Sequence, residues 1–167
     1  SLEHYRTESM DKVPMTAAGE KTLRVEVDRL KQIERPRIIK EIATARAQGD
    51  LRENAEYQYA KEEQGFIEGR IADIEGKLNH AHVIDVTLIE HTGRVIFGAT
   101  VHLVNLDTDE EISYQIVGDD EADLKISKIS VYSPIARALV GKQVGDVALV
   151  HAPNGTIEYE ICLVEHL

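Results

Sequence analysis

A heptad repeat in the middle of the chain most constrains what it can fold into. Mostly apolar residues recur there at alternating steps of four and three over three heptads, which is the pattern of a coiled-coil seam. The positions are Ala60, Gln64, Ile67, Ile71, Ile74, Leu78 and Ala81. Such a seam becomes stable when a second helix covers it. The repeat therefore predicts a long helix that pairs with another one.

A second apolar stripe at helical spacing precedes the heptads. Its members are Leu23, Val27, Leu30, Ile38, Ile42 and Ala45. Pro36 interrupts this stripe, and a proline removes one helical hydrogen bond, so we expect a kink or local break with the helix resuming from Pro36. Only about five residues, Gln48 to Arg52, separate the two patterns. So short a connection predicts an antiparallel helical hairpin.

The periodicity changes to alternation after residue 82, which predicts strands. The segments are Val83 to Val86, Arg94 to Val104, Ile112 to Val117, Val147 to Val150 and Thr156 to Val164. Ser133-Pro134 followed by an apolar run and Gly141 predicts a short capped helix, and Asn154-Gly155 predicts a hairpin turn. The fold class is therefore α+β. We expect residues 10–82 to form an antiparallel coiled-coil hairpin with its tip at 49–53, residues 83–167 to form an α+β domain, and residues 1–9 to be a tail outside both.

Composition limits the functions open to this chain. A net charge of −11 excludes general nucleic-acid binding, which depends on neutralising many phosphates. The single cysteine, Cys162, excludes an internal disulfide and is expected to be a small buried thiol in a strand. The acidic stretch from Asp119 to Asp123 is expected to be a solvated or partner-facing loop. No apolar stretch is long enough for a membrane span or a signal peptide, so we expect a cytoplasmic protein.

Two interpretations fit the tip of the hairpin. Gly49 suits the residue that ends a helix, and Asp50 with Glu53 three positions later fits a capping box that begins the next one. The two carboxylates can also be functional, and this is compatible with capping, which would fix the direction in which they point. Mg²⁺ is often held by one or two carboxylates with phosphates and water completing its shell. A thin rod ending in carboxylates could complete a metal site in another protein.

Several separate motifs resemble one protein family. The first runs from Gly49 through Asp50-Leu51-Arg52-Glu53-Asn54-Ala55-Glu56 to Tyr57, and a second from Glu63 to Ile71. Three more lie in the second half, at Gly93 to Ala99, Ile116 to Asp123 and Ile129 to Leu139. Together they resemble the Gre transcript-cleavage factors of bacteria, in the GreA branch of that family. The resemblance covers nearly all of the chain from Met10 to Leu167.

The resemblance implies that the hairpin enters the secondary channel of bacterial RNA polymerase and meets the 3′ end of backtracked RNA. Asp50 and Glu53 then correspond to the catalytic acids that help to hold the second Mg²⁺, jointly with the polymerase. The reaction implied is endonucleolytic hydrolysis of the RNA near its 3′ end, which rescues arrested complexes. The chain would not be an enzyme by itself and would bind no metal alone.

The resemblance also assigns roles to residues beside the tip and in the second domain. Arg46, Arg52 and Lys61 are the RNA contacts, with solvated charges as the alternative. Asn54 and Tyr57 position the tip. The second domain resembles the FKBP-like fold, and Ser133 and Pro134 are its candidate polymerase-docking residues, although starting the short helix would also explain them.

A second function remains open from sequence. A Gre-like regulator could bind the same channel and inhibit the polymerase without stimulating cleavage. The intact Asp-x-x-Glu arrangement at Asp50 and Glu53 favours cleavage. Because the hairpin closes its own seam, we expect a monomer.

Overall fold

The computed structural model describes residues 12–49 and 54–167. The predictions for Asp50, Arg52, Glu53 and the tail at residues 1–9 therefore lie outside the described residues. The described part of the chain divides into two compact units, one formed by residues 20–81 and the other by residues 82–167 together with residues 12–19. No helix in the described part is both long enough and apolar enough to span a membrane.

The first unit is a hairpin built from two long helical arms. The first arm contains α1 (Ala17–Arg29), a π-helical turn (Leu30–Glu34) and α2 (Arg35–Arg46), and the second arm is α3 (Ala55–Asn79). The two apolar stripes pack against each other, which confirms the predicted seam. Its buried core consists of Val27, Leu30, Ile38, Ile42, Ala60, Ile67, Ile71 and Ile74.

The break predicted at Pro36 is a π-helical turn. The N–H of Arg35 donates to the carbonyl of Leu30, an i to i−5 bond that accommodates one extra residue in the helix. Pro36, which has no N–H to donate, follows in the first turn of α2. The extra residue explains why Leu30 and Ile38 are eight positions apart and yet both are buried in the seam.

Ion pairs between the arms line both sides of the seam. They join Arg70 to Glu26, Arg37 to Glu63, Arg35 to Glu68 and Lys31 to Glu75. The Arg70 guanidinium donates to both oxygens of Glu26, at 2.7 and 2.9 Å, and this bonding lowers the pKa of Glu26 below its ordinary value. The side chains of these pairs are partly exposed, so each pair contributes little stability, but together they favour one register of the two arms.

The second unit is built on a five-stranded sheet. Its strands are β3 (Thr100–Asn105), β4 (Glu111–Val117), β5 (Lys128–Ser130), β6 (Val147–Ala152) and β7 (Gly155–Glu165). The order is β5-β4-β3-β7-β6, and only β4 and β5 are parallel. A short helix, α4 (Pro134–Leu139), places Ala136 and Leu139 in the core beneath the sheet. The predicted α+β class, with a helical hairpin before the sheet domain, is confirmed.

Several strand boundaries differ from the sequence prediction. The strand expected from Arg94 begins only at Thr100, because Gly98 has a φ of +86° that no strand accommodates. The strand expected at Val83 is β2 (Ala81–Ile84), which pairs with the unexpected β1 (Val13–Thr16). Strand β5 was also missed, since three residues are too few to show alternation. The β6–β7 hairpin is confirmed, with Ala152 paired to Gly155.

The prediction that Cys162 is buried is wrong, because its thiol is exposed. The register between β3 and β7 shifts at this point: His102 faces Leu163, whereas Leu103 faces Ile161. Cys162 is therefore the extra residue of a β-bulge, and the bulge interrupts the alternation on which the prediction relied.

The acidic loop is only partly a solvated face. The carboxylate of Glu121 accepts hydrogen bonds from the backbone N–H groups of Thr16 and Gly118, at 3.0 and 2.9 Å, and from the hydroxyl of Thr16. The same hydroxyl accepts from the N–H of Gly19 in the first turn of α1, at 3.0 Å. Glu121 thus joins Thr16 to Gly118 within the sheet unit, while Asp119, Asp120 and Asp123 are exposed.

Candidate functional site at the end of the hairpin

The first arm ends just before the connection at residues 47–54, which contains the predicted tip at 49–53. Helix α2 ends at Arg46, where the N–H of Ala47 donates to the carbonyls of Ala43 and Ala45. Gly49 has a φ of +137°, and no atom lies within 4 Å of the position that a Cβ would occupy. Glycine is therefore required for its backbone conformation rather than for space. Gly49 has the predicted positive φ, but it does not end the helix, because the helix ends at Arg46 with Ala47 as its C-cap.

Asn54 connects the two arms at the base of the tip. Its side-chain oxygen accepts from the N–H of Tyr57 at 3.1 Å, and its side-chain nitrogen donates to the carbonyl of Ala45 at 2.9 Å. The first bond caps the N-terminus of α3, and the second satisfies a carbonyl at the C-terminus of α2. One side chain thus fixes where the chain leaves one arm and enters the other.

The predicted capping box of Asp50 and Glu53 is wrong, because the N-cap of α3 is Asn54. Asn54 has extended backbone angles, φ −81° and ψ 102°, and the helix begins at Ala55. The sequence does contain a signal for this, since an asparagine precedes a helical run with Glu56 in its first turn. With capping assigned to Asn54, the carboxylates of Asp50 and Glu53 are not needed to start the helix.

The two roles of Asn54 can be separated by substitution. We expect Asn54→Ala to lower the free energy of unfolding of the hairpin by about 1–2 kcal/mol, because it removes both bonds. Asn54→Asp keeps a capping oxygen but cannot donate to Ala45, so it should recover only the capping part. Hydrogen exchange at the Tyr57 amide measures the cap directly: exchange should accelerate in the alanine variant and stay slow in the aspartate variant. Exchange in the alanine variant as slow as in wild type would show that Asn54 does not act as the cap.

Two of the predicted RNA-contact residues lie on one side of the hairpin near the tip. The guanidinium carbon of Arg46 lies 6.0 Å from the centroid of the Tyr57 ring, within cation–π range. Lys61 follows Tyr57 by one helical turn and is therefore its neighbour on the surface of α3. The Lys61 ammonium donates to the Gln64 side chain at 3.1 Å. Tyr57 itself packs partly into the hairpin core, so it can support Arg46 from below.

Ser133 and Pro134 lie in the sheet unit at the start of α4. The Ser133 hydroxyl accepts from the N–H of Ala136 at 3.3 Å and donates to the carbonyl of Ser130 at 2.7 Å. The predicted N-cap is therefore confirmed, and the Ser133 hydroxyl makes both of these hydrogen bonds within the chain. Pro134 is exposed and stands beside Tyr132, whose exposed fraction is 57%. This exposed pair leaves a surface that a partner could contact.

No group of three or more histidine, cysteine, aspartate or glutamate side chains that could hold a metal ion occurs within residues 12–49 and 54–167. The two acids for which a metal role is predicted, Asp50 and Glu53, lie outside these residues. Two carboxylates are a sparse ligand set, and Mg²⁺ held by so few needs further oxygen ligands from elsewhere.

Comparisons with known proteins place both units in one group. A family model described as "Transcription elongation factor, N-terminal" matches residues 13–83, and one described as "Transcription elongation factor, GreA/GreB, C-term" matches residues 90–166. Transcription elongation factor GreA of Yersinia pestis is 58% identical over 158 residues, 95% of this chain and 100% of the relative.

Two further relatives give the same result. Transcription elongation factor GreA of Pseudomonas aeruginosa is 59% identical over 158 residues, 95% of this chain and 100% of the relative. The protein of the same name from Francisella tularensis subsp. novicida is 60% identical over 156 residues, 93% of this chain and 98% of the relative.

Proposed function

Because the chain belongs to the GreA/GreB family of transcription elongation factors, we propose that it stimulates RNA polymerase to cleave backtracked RNA. The hairpin enters the secondary channel of the polymerase and brings Asp50 and Glu53 to the RNA near its 3′ end. The observation that carries this proposal is the hairpin itself. Two arms of 25 or more residues span about 40 Å, and the connection between them carries Asp50 and Glu53, while Asn54 caps the second arm.

The donor chemistry of the tip fits Mg²⁺. Carboxylate oxygens are the hard ligands that this ion prefers, and one or two of them suffice when phosphate and water complete the octahedron. Asp50 and Glu53 would hold the ion jointly with the polymerase. When bound, Mg²⁺ supplies an activated water and stabilises charge on the phosphoryl oxygens.

Residues in and beside the tip position these acids and the RNA. Asn54 fixes the chain at the base of the tip through its bonds to both arms. Arg46 and Lys61, on one side of the hairpin, offer positive charge to RNA phosphates, and Arg52 within the tip does the same. Because this contact contains few cations, it orients the RNA more than it strengthens RNA binding.

The factor supplies part of a site rather than a complete one. A narrow hairpin has no walls to exclude water around its acids, so hydrolysis depends on the polymerase. The chain therefore changes the reaction that RNA polymerase carries out. It acts in the same cellular compartment as the bacterial polymerase. We further propose that the sheet unit docks on the polymerase through the exposed Pro134, with Ser133 holding that turn in place.

A channel-binding regulator that inhibits without cleavage is the second candidate. It would use the same hairpin and the same docking surface, so neither feature separates the two functions. The presence of both tip acids favours cleavage, since a purely blocking hairpin has no need for a metal-binding pair.

The deciding experiment adds the purified protein to a stalled, backtracked elongation complex with labelled RNA and Mg²⁺. We expect rapid shortening of the RNA from its 3′ end, followed by renewed elongation when nucleotides are added. If the factor instead slows elongation and the RNA keeps its length, it is the inhibitory regulator.

A further inference from the structure

A groove runs between the arms on one side of the hairpin near the tip. Its volume is about 460 Å³. We call it the acidic groove, and it is lined by Lys40, Glu41, Thr44, Ala45, Glu56, Tyr59, Ala60 and Glu63. Ala45 and Ala60 form its buried floor, and the charged side chains stand at its rim. The acidic groove thus has an apolar floor and a charged rim.

The acidic groove lies on the opposite side of the seam from Arg46 and Lys61, the two predicted RNA contacts among the described residues. Glu56 and Glu63 each come directly before a seam position of α3, whereas Lys61 comes directly after one. In a heptad these flanking positions lie on opposite sides of the seam. The end of the hairpin therefore has a basic side, with Arg46 and Lys61, and an acidic side.

The charge of the groove is negative. Three carboxylates and one ammonium line it, which gives a net of two negative charges. Arg37 binds Glu41 at 2.8 Å and Glu63 at 2.5 Å, but it also binds Glu34 at 2.7 Å, so its single charge is shared among three carboxylates. Within the described residues, the Glu56 carboxylate has no hydrogen bond or ion pair.

Tyr59 adds an aromatic surface to this negative groove. Its exposed fraction is 71%, so most of its ring is open to a partner. A ring face next to carboxylates is a good receptor for a guanidinium or ammonium group. RNA fits poorly, because its phosphates would meet the carboxylates of Glu41, Glu56 and Glu63.

We propose that the acidic groove binds a cationic protein segment of RNA polymerase, an arginine- or lysine-bearing stretch of the channel that receives the hairpin. This inference rests on the proposed function and deepens it. The basic side of the hairpin faces RNA, and the acidic side contacts the protein wall of the polymerase channel. Opposite charges on the two sides fix the rotation of the hairpin about its own axis, and so the direction in which the tip acids point.

The test uses two variants and two matched controls. Tyr59→Ala removes the ring, and Phe66→Ala is its control, because Phe66 lies one heptad further along α3, is 70% exposed and does not line the groove. Glu56→Gln removes one carboxylate charge from the groove, and Glu62→Gln removes an exposed charge from α3 outside the groove. All four sites are exposed, so circular dichroism should show unchanged helix content.

Affinity is measured with labelled factor, both on backtracked complexes and on RNA-free polymerase. We expect Tyr59→Ala and Glu56→Gln each to raise Kd about fivefold on both forms of the polymerase, with the controls within about twofold of wild type. Cleavage at saturating factor should change much less than affinity, since the tip acids are intact.

Other outcomes would overturn the inference. A loss confined to complexes that contain RNA would assign the groove to RNA, and variants indistinguishable from their controls would leave it without a ligand on the polymerase. A wild-type dimer in sedimentation that Tyr59→Ala dissociates would assign the groove to a second copy of the chain. Failure of the proposed function is distinguishable, because the wild-type protein itself would then not bind polymerase or not shorten the RNA.

Discussion

We expect Asp50→Asn and Glu53→Gln each to lower the maximal rate of factor-stimulated RNA cleavage about hundredfold, with binding to the polymerase within about twofold of wild type. An amide keeps the size of the side chain and one oxygen ligand but loses the negative charge that holds Mg²⁺. Because Asn54 caps α3, neither substitution should disturb the helix. The measurement is single-turnover cleavage of labelled RNA in a backtracked complex at saturating factor.

Glu62→Gln is the control for this prediction. It removes one carboxylate from the same hairpin at an exposed position of α3, so it makes the same change in net charge away from the tip. Its cleavage rate should equal that of wild type. If all three variants lose the same small amount of activity, general electrostatics rather than metal binding explains the effect. If the tip variants lose binding instead of rate, Asp50 and Glu53 are docking residues.

Truncation of the hairpin core should have the largest effect on stability. Ile38 is fully buried in the seam, and we expect Ile38→Ala to lower the free energy of unfolding of the hairpin by about 3 kcal/mol through lost burial and a residual cavity. Its neighbour Ile39 is 52% exposed, so Ile39→Ala should cost less than about 0.5 kcal/mol.

The two units allow this prediction to be localised. The hairpin and the sheet have separate buried cores. When urea unfolding of Ile38→Ala is monitored by hydrogen exchange, the amides of α2 and α3 should lose protection while those of the sheet strands stay protected. Equal costs for the two isoleucines would contradict the assignment of the seam.

The regular helices could be predicted from sequence, because burial of one face of a helix places apolar residues at the helical period along the chain. The seam from Ala60 to Leu78 is an example, and so is the helix that begins after Ser133. The π-helical turn before Pro36 was harder, since a proline predicts a break but does not say how the chain absorbs it. Cys162 was misassigned because a bulge breaks alternation without any signal in the strand that contains it.

The site was only partly predictable for a related reason. The spacing of Asp50 and Glu53 fits a capping box, and local patterns alone could not decide between capping and function. The structure assigns the cap to Asn54, whose second bond, to Ala45 on the other arm, depends on the tertiary pairing of the helices. The acidic groove was invisible for the same reason, as Glu41 and Glu56 become neighbours only when the arms pair.

The most direct test of the account is the Mg²⁺ dependence of cleavage in backtracked complexes, measured with saturating wild-type factor, with Asp50→Asn and with no factor. If Asp50 and Glu53 hold the shared ion, wild-type factor should lower the Mg²⁺ concentration at half-maximal rate. Asp50→Asn should return it most of the way to the factor-free value. The same half-maximal Mg²⁺ concentration for wild type and Asp50→Asn, whatever their maximal rates, would contradict the claim that the tip supplies metal ligands.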